Sequence, residues 1–87
     1  MSELSILIVD DEAPARKRLR EGLSDCAVEL PVIVAAELSS GREALEWLSC
    51  HSVNVALLDI SMPEMDGLEL ARHMQSLSQP PAIIFCT

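Results

Sequence analysis

The sequence predicts an α/β domain: a parallel sheet with helices on both faces. Three observations predict it. Four short apolar runs punctuate the chain, at residues 5–9, 32–36, 53–58 and 82–86. Stretches of helical period separate them, and strands alternating with helices make βαβ units with right-handed crossovers. The runs are continuous rather than alternating, which suits strands buried on both faces. A length of 87 residues allows one small domain.

The first run, Ser5 to Val9, is β-branched at Ile6, Ile8 and Val9 and stops at Asp10. A helix is predicted from Glu12 to Leu23. Pro14 lies in its first turn, where a missing N–H costs nothing, and Ala15, Leu19 and Leu23 share one face. Four of the six basic residues, Arg16, Lys17, Arg18 and Arg20, fall on this helix. They read first as a solvated face; the functional alternative is docking of an acidic or phosphorylated partner. Val32 to Ala36, after Pro31, predicts a second buried strand, and Ser39 to Gly41 a loop. Arg42 to Cys50 predicts a helix with Ala44, Leu45 and Leu48 inward and Trp47 partly buried. Val53 to Leu58 is the third strand and ends at Asp59. Ser61 to Gly67 is a turn-rich loop in which Gly67 is expected to supply a positive φ. Leu68 to Leu77 predicts the third helix, with Leu70, Met74 and Leu77 on one face. Pro80 and Pro81 break it before the fourth strand, Ala82 to Cys86. Sequence order alone does not set the strand order across the sheet.

The composition excludes several classes. The formal net charge is −8, from 14 acidic against 6 basic residues. That argues against direct nucleic-acid contact, which neutralises phosphates with Lys and Arg. No apolar run exceeds five residues, far short of a bilayer span. Met1 to Glu3 has no basic n-region, so no secretory signal is expected. Cys26, Cys50 and Cys86 form no C-x-x-C pair and read as reduced thiols of a cytoplasmic protein, with Cys86 a small core residue. His51 and His73 have no ligand-spaced partner and read as solvated.

In parallel α/β sheets ligands bind beyond the carboxyl ends of the strands. Asp10 and Asp11 follow the first strand, and Asp59 follows the third. If those strands are neighbours, the three carboxylates converge. Two unit charges 4 Å apart repel by about 4 kcal/mol at an effective dielectric near 20. Such a cluster either raises a pKa or binds a cation. Oxygen donors without His or Cys suit a hard ion, and Mg²⁺ fits best because it uses one or two carboxylates, keeps waters and bridges to phosphate. The plainer reading is that Asp10-Asp11-Glu12 only opens a helix; Asp59 at the equivalent end of strand three weighs against it.

These residues carry a resemblance. Ile6-Leu7-Ile8-Val9-Asp10-Asp11-Glu12 resembles the start of a response-regulator receiver domain of two-component signalling. Leu57-Leu58-Asp59, continuing through Met62-Pro63 to Asp66-Gly67, resembles its phospho-acceptor segment. Ile83-Ile84-Phe85-Cys86-Thr87 resembles its fourth strand, ending in the switch hydroxyl. The stretches Asp11-Glu12-Ala13-Pro14-Ala15-Arg16 and Pro81 to Thr87 further resemble the LytTR-type transcriptional regulators, including the AlgR group.

The resemblance implies a flavodoxin-like, doubly wound sheet of strand order 2-1-3-4-5, which sets strands one and three side by side. It implies that Asp59 is phosphorylated by a sensor histidine kinase or a small acyl phosphate. It implies that Asp11, Asp59 and the backbone carbonyl of Ser61 ligate Mg²⁺, with Asp10 acting through a water. Thr87 would turn its hydroxyl to the phosphoryl group. Residues 1–87 then read as a truncated receiver, lacking the last two helices and the fifth strand with its lysine. An output domain, of DNA-binding type, is expected beyond Thr87. Without that lysine this chain is expected to accept phosphate poorly or not at all, while its parent does. Strand four is expected to be a bare edge through which the chain self-associates. Two rivals stand beside this reading. A haloacid-dehalogenase-type phosphatase wants Asp-x-Asp, whereas Glu12 stands two after Asp10. A phosphate-independent pseudo-receiver would not need the acid trio.

Overall fold

Leu4–Val9 is the strand around which the rest is laid. The computed structural model describes residues 3–26 and 31–86. In chain order its elements are β1 (Leu4–Val9), α1 (Ala13–Cys26), β2 (Val32–Leu38), α2 (Gly41–Leu48), β3 (Val55–Leu58), α3 (Gly67–Gln75) and β4 (Ala82–Phe85). The strand order is β2-β1-β3-β4, with every pair parallel. Side chains alternate across a strand, so β1 feeds two cores. Ile6 and Ile8 join Leu57 beneath Leu19 and Leu23 of α1. Leu7 and Val9 join Ala56, Leu58, Leu70 and Met74 beneath α2 and α3. The sheet is therefore covered on both faces.

Two strands differ from the sequence expectation. β2 is not buried on both faces: it is an edge strand, and Ile33 is 47% exposed. It also continues to Leu38 and carries a bulge opposite Ile6 and Leu7. An apolar run reports that a strand meets a core, not how many neighbours it has. β3 begins two residues later than expected. Val53 is buried, but the Asn54 side chain accepts from the Ser5 amide at 2.8 Å and the Ser5 hydroxyl at 3.0 Å, so Asn54 serves as a cross-strand clamp before the ladder starts. β4 lies at the other edge, with Ile84 52% and Phe85 40% exposed.

The helix starts are locally encoded. Ser40 caps α2, its hydroxyl accepting from the Glu43 amide at 3.1 Å. Glu43 accepts in return from the hydroxyl and amide of Ser39, the residue before the cap, and these bonds hold the Glu43 carboxyl below its usual pKa. Asp66 caps α3 by accepting from the Glu69 amide at 2.8 Å.

Candidate functional site

Parallel pairing of β1 with β3 sets Val9 opposite Leu58, so Asp10 and Asp59 leave the sheet side by side. The Asp59 amide donates to the Val9 carbonyl at 3.0 Å and the Asp10 amide to the Leu38 carbonyl at 3.1 Å. Both backbones are thus held by the sheet, and only the side chains project past it. One carboxylate oxygen from each of Asp10, Asp11 and Asp59 lies within 4.8 Å of the others.

The three acids differ in setting. Asp10 is 5% exposed, Asp59 half-buried and Asp11 exposed. The Asp10 carboxylate accepts from the Glu12 amide at 2.9 Å, and the Arg16 guanidinium donates to the Asp10 carbonyl at 2.7 Å. Asp59 accepts from the Ser61 amide at 3.3 Å. Burial first, then the charge of Asp10, pushes the Asp59 carboxyl above the usual aspartate range; the amide bond from Ser61 opposes this, and Asp11 adds to it. Cys86 follows β4 at the same sheet end, where burial and the charges of Asp10 and Asp59 push its thiol up. A cavity of about 260 Å³ opens between these strand ends and α1, bounded by Asp10, Asp59 and Cys86. A larger cavity, of about 640 Å³, lies between the start of α2 and the loop after β3 and holds none of the three aspartates. Asp10 and Asp59 line only the smaller one.

The loop after β3 is pinned to the site. Gly67 donates its amide to the Ile60 carbonyl at 2.9 Å, and a Cβ there would stand 2.3 Å from the Asp59 carbonyl oxygen. Gly67 does not have the expected positive φ; its role is to let α3 touch the Asp59 backbone. The left-handed residue is Glu64, at φ 67°.

Of the residues selected from sequence, Asp10, Asp11 and Asp59 meet. Ser61 adjoins them, with its amide toward Asp59. Thr87 lies outside the described residues. Arg16, in the basic cluster that the sequence predicts to be a solvated face, instead fastens the end of β1. Its only sequence signal is its place one helical turn into α1. The donor set, all carboxylate oxygen with no imidazole or thiolate, fits a hard divalent cation.

The sequence matches the family described as "Response regulator receiver domain" over residues 6–87. It is 38% identical over 84 residues to the positive alginate biosynthesis regulatory protein of Pseudomonas aeruginosa, covering 97% of this chain and 33% of that protein. This supports the likeness to the AlgR group. It is 35% identical over 82 residues to chemotaxis protein CheY of Bacillus subtilis, covering 94% of this chain and 65% of that one. The structure resembles the signal receiver domain of the response regulator NarL from Mycobacterium tuberculosis, with a TM-score of 0.85, 30% identity, and coverage of 98% of this chain and 66% of that one. The observed order β2-β1-β3-β4 is that of the flavodoxin-like receiver fold. The chain thus spans about a third of the alginate regulator.

Proposed function

The chain belongs to the response regulator receiver domain family, and on that premise we propose that Asp59 accepts a phosphoryl group from a sensor histidine kinase or a small acyl phosphate. The convergence of Asp10, Asp11 and Asp59 at one sheet end carries this reading. Asp11, Asp59 and the Ser61 carbonyl would hold Mg²⁺, with Asp10 acting through a water. When bound, the ion supplies the positive charge that offsets the carboxylates and the phosphoryl oxygens.

The residues themselves have plain tasks. A carboxylate oxygen of Asp59 forms the new P–O bond as the bond from phosphorus to the donor breaks, and the donor leaves with the electron pair. Phosphoryl transfer depends mainly on positioning and charge, and Asp59 is positioned by the Val9 carbonyl and the Ser61 amide. The product adds roughly 1.5 to 2 negative charges, by analogy with other phosphoryl groups. Its oxygens demand donors, and the Thr87 hydroxyl is the proposed recruit. That local change biases an output domain of the full-length protein, of DNA-binding, transcription-regulating type, in the cytoplasm. Among the described residues no helix is long and apolar enough to cross a membrane.

Incubation with acetyl phosphate and Mg²⁺ tests the assignment by intact mass. Slow gain of a single phosphoryl increment, mapped to Asp59, is expected. Continuous release of phosphate without a stable label would point to a phosphatase, and a label elsewhere would reject Asp59.

The 87-residue chain is also proposed to self-associate through β4. Among the described residues nothing pairs with the outer side of this strand, and Ala82–Phe85 carries no charge to guard it. Ile84→Lys places a charge on that edge. It is expected to shift sedimentation equilibrium toward monomer at high protein concentration. A wild-type chain that is monomeric at every concentration would refute the edge contact.

A further inference from the structure

Phosphoryl oxygens gather cations, and three of the six cations of this chain are engaged elsewhere. Arg16 is held on the Asp10 carbonyl, Arg20 pairs with Glu37 at 2.6 Å, and Arg42 lies 3.7 Å from Glu46. Arg18 makes no ion pair or side-chain hydrogen bond among the described residues. It is exposed, yet it is the one cation lining the cavity that Asp10, Asp59 and Cys86 also line. Helix geometry explains its place. Ala15, Arg18 and Leu19 stand at i, i+3 and i+4 and share a face. Leu19 packs against the Ile6, Ile8 and Leu57 core, which sets the rotation of α1 about its axis. Arg18, adjacent to Leu19, is therefore carried to the rim of the cavity rather than to open solvent.

Resting on the phospho-acceptor reading above, we propose that Arg18 is a phosphoryl-binding residue of this site, its guanidinium donating from α1 to the oxygens of the group on Asp59. Three features favour this. A guanidinium presents paired donors that match phosphoryl oxygens. The neighbouring lining acids, Asp10, Glu12 and Asp59, attract it toward the cavity mouth before any phosphoryl group arrives. Among the described residues the long side chain has no competing partner to release. Arg18 acts in opposite directions on the two ligands of the site: it repels a dication and attracts the phosphoryl oxygens.

That opposition makes the test sharp. The 87-residue chain, Arg18→Gln and Arg18→Lys are titrated with Mg²⁺ alone, and then with beryllofluoride at saturating Mg²⁺, by calorimetry or by NMR of the Asp59 region. Arg18→Gln is expected to tighten Mg²⁺ binding by about twofold, as one positive charge leaves the cavity. The same variant is expected to weaken beryllofluoride binding by about tenfold, the value of one charge-assisted contact. Arg18→Lys keeps the charge without the fork and should match wild type on Mg²⁺ while falling between the two on beryllofluoride. Beryllofluoride binding in Arg18→Gln equal to that of wild type overturns the role of Arg18 alone. A wild-type chain that binds Mg²⁺ but takes up no beryllofluoride overturns this role of Arg18, whose guanidinium then holds no phosphoryl oxygens; the acetyl phosphate label on Asp59 tests the phospho-acceptor reading separately. If both titrations weaken together in Arg18→Gln, the residue supports the fold and the proposal also fails.

Discussion

Asp59→Asn is expected to abolish phosphoryl labelling outright and, at the same time, to stabilise the protein in the absence of divalent ions. The first effect follows because an amide cannot form the acyl phosphate. The second follows from the crowding of Asp10, Asp11 and Asp59 within 4.8 Å. A pair of charges 4 Å apart costs about 1 kcal/mol in water and about 4 kcal/mol at an effective dielectric near 20. Asp11 is exposed and Asp59 only half-buried, so screening holds the gain near the lower figure, about 1 kcal/mol. For a domain of this size that raises Tm by about 4–8 °C.

The pH dependence has a definite sign. The Asp59 carboxyl is raised in the folded protein by burial, then by the charge of Asp10. The folded state therefore holds this proton more tightly than the unfolded one. The stability contributed by Asp59 is fully present below the ordinary aspartate value, about 3.9. It is lost as pH rises from there through the raised value. Asp59→Asn lacks that loss, so its advantage over wild type should grow across the window and hold at neutral pH. Mg²⁺ should reverse the order. An ion at a hundred times its Kd stabilises by about 2.7 kcal/mol, and the variant, with one ligand weakened, should gain less. Thermal melts from acidic to neutral pH, in EDTA and in Mg²⁺, check each part. An Asn variant less stable than wild type in EDTA at every pH would show that the three acids do not strain the fold.

Gly67→Ala is expected to be the most damaging single-methyl change in the chain. The added Cβ would stand 2.3 Å from the Asp59 carbonyl oxygen and 2.9 Å from the Ile60 Cα, both backbone atoms held in place. Overpacking of this kind costs roughly 1–3 kcal/mol, and the upper end is expected because neither neighbour can rotate aside. That is a large share of the roughly 5–15 kcal/mol that holds a domain together. The damage should also reach function, because relief of the clash moves Asp59, the proposed phospho-acceptor. Urea unfolding and Mg²⁺ affinity should fall together. Gly22→Ala is the control: nothing lies within 4 Å of its added Cβ, and it sits on the exposed side of α1. It should stabilise by roughly 0.5–1 kcal/mol. Equal stability for the two alanine variants would reject the close-approach role of Gly67.

The helices were legible because each carries its own local code. Leu19 and Leu23, Ala44 and Leu48, and Leu70 and Met74 each recur at four-residue spacing, and each pair faces the sheet. The starts of α2 and α3 shifted by one residue, to Gly41 and Gly67, where capping by Ser40 and Asp66 decides the start, and α1 runs three residues past the expected Leu23, to Cys26. The strands were legible as apolar runs, but exposure was not. β2 has the composition of a buried strand and stands at an edge, whereas the bare edge at β4 was expected only through the family resemblance. The acid site was legible in its residues, since Asp10, Asp11 and Asp59 all stand at strand ends. What supports it was not. Arg16 on the Asp10 carbonyl, the Asn54 clamp on Ser5 and the approach of Gly67 to Asp59 join segments far apart in the chain, or a side chain to a carbonyl, with no periodic signal.

By itself the amino-acid order determined the alternation of strands and helices, the inward face of each helix and the identity of the acids. These depend on period, capping and charge, all readable within a dozen residues. Only the tertiary structure decided which strands are neighbours, and hence that the carboxylates meet. It also decided which face of α1 brings Arg18 to the cavity and that β2 lies at an edge. Those are outcomes of long-range packing: the pairing of β1 with β3 and the burial of both sheet faces are properties of the whole chain, and no local stretch of sequence contains them.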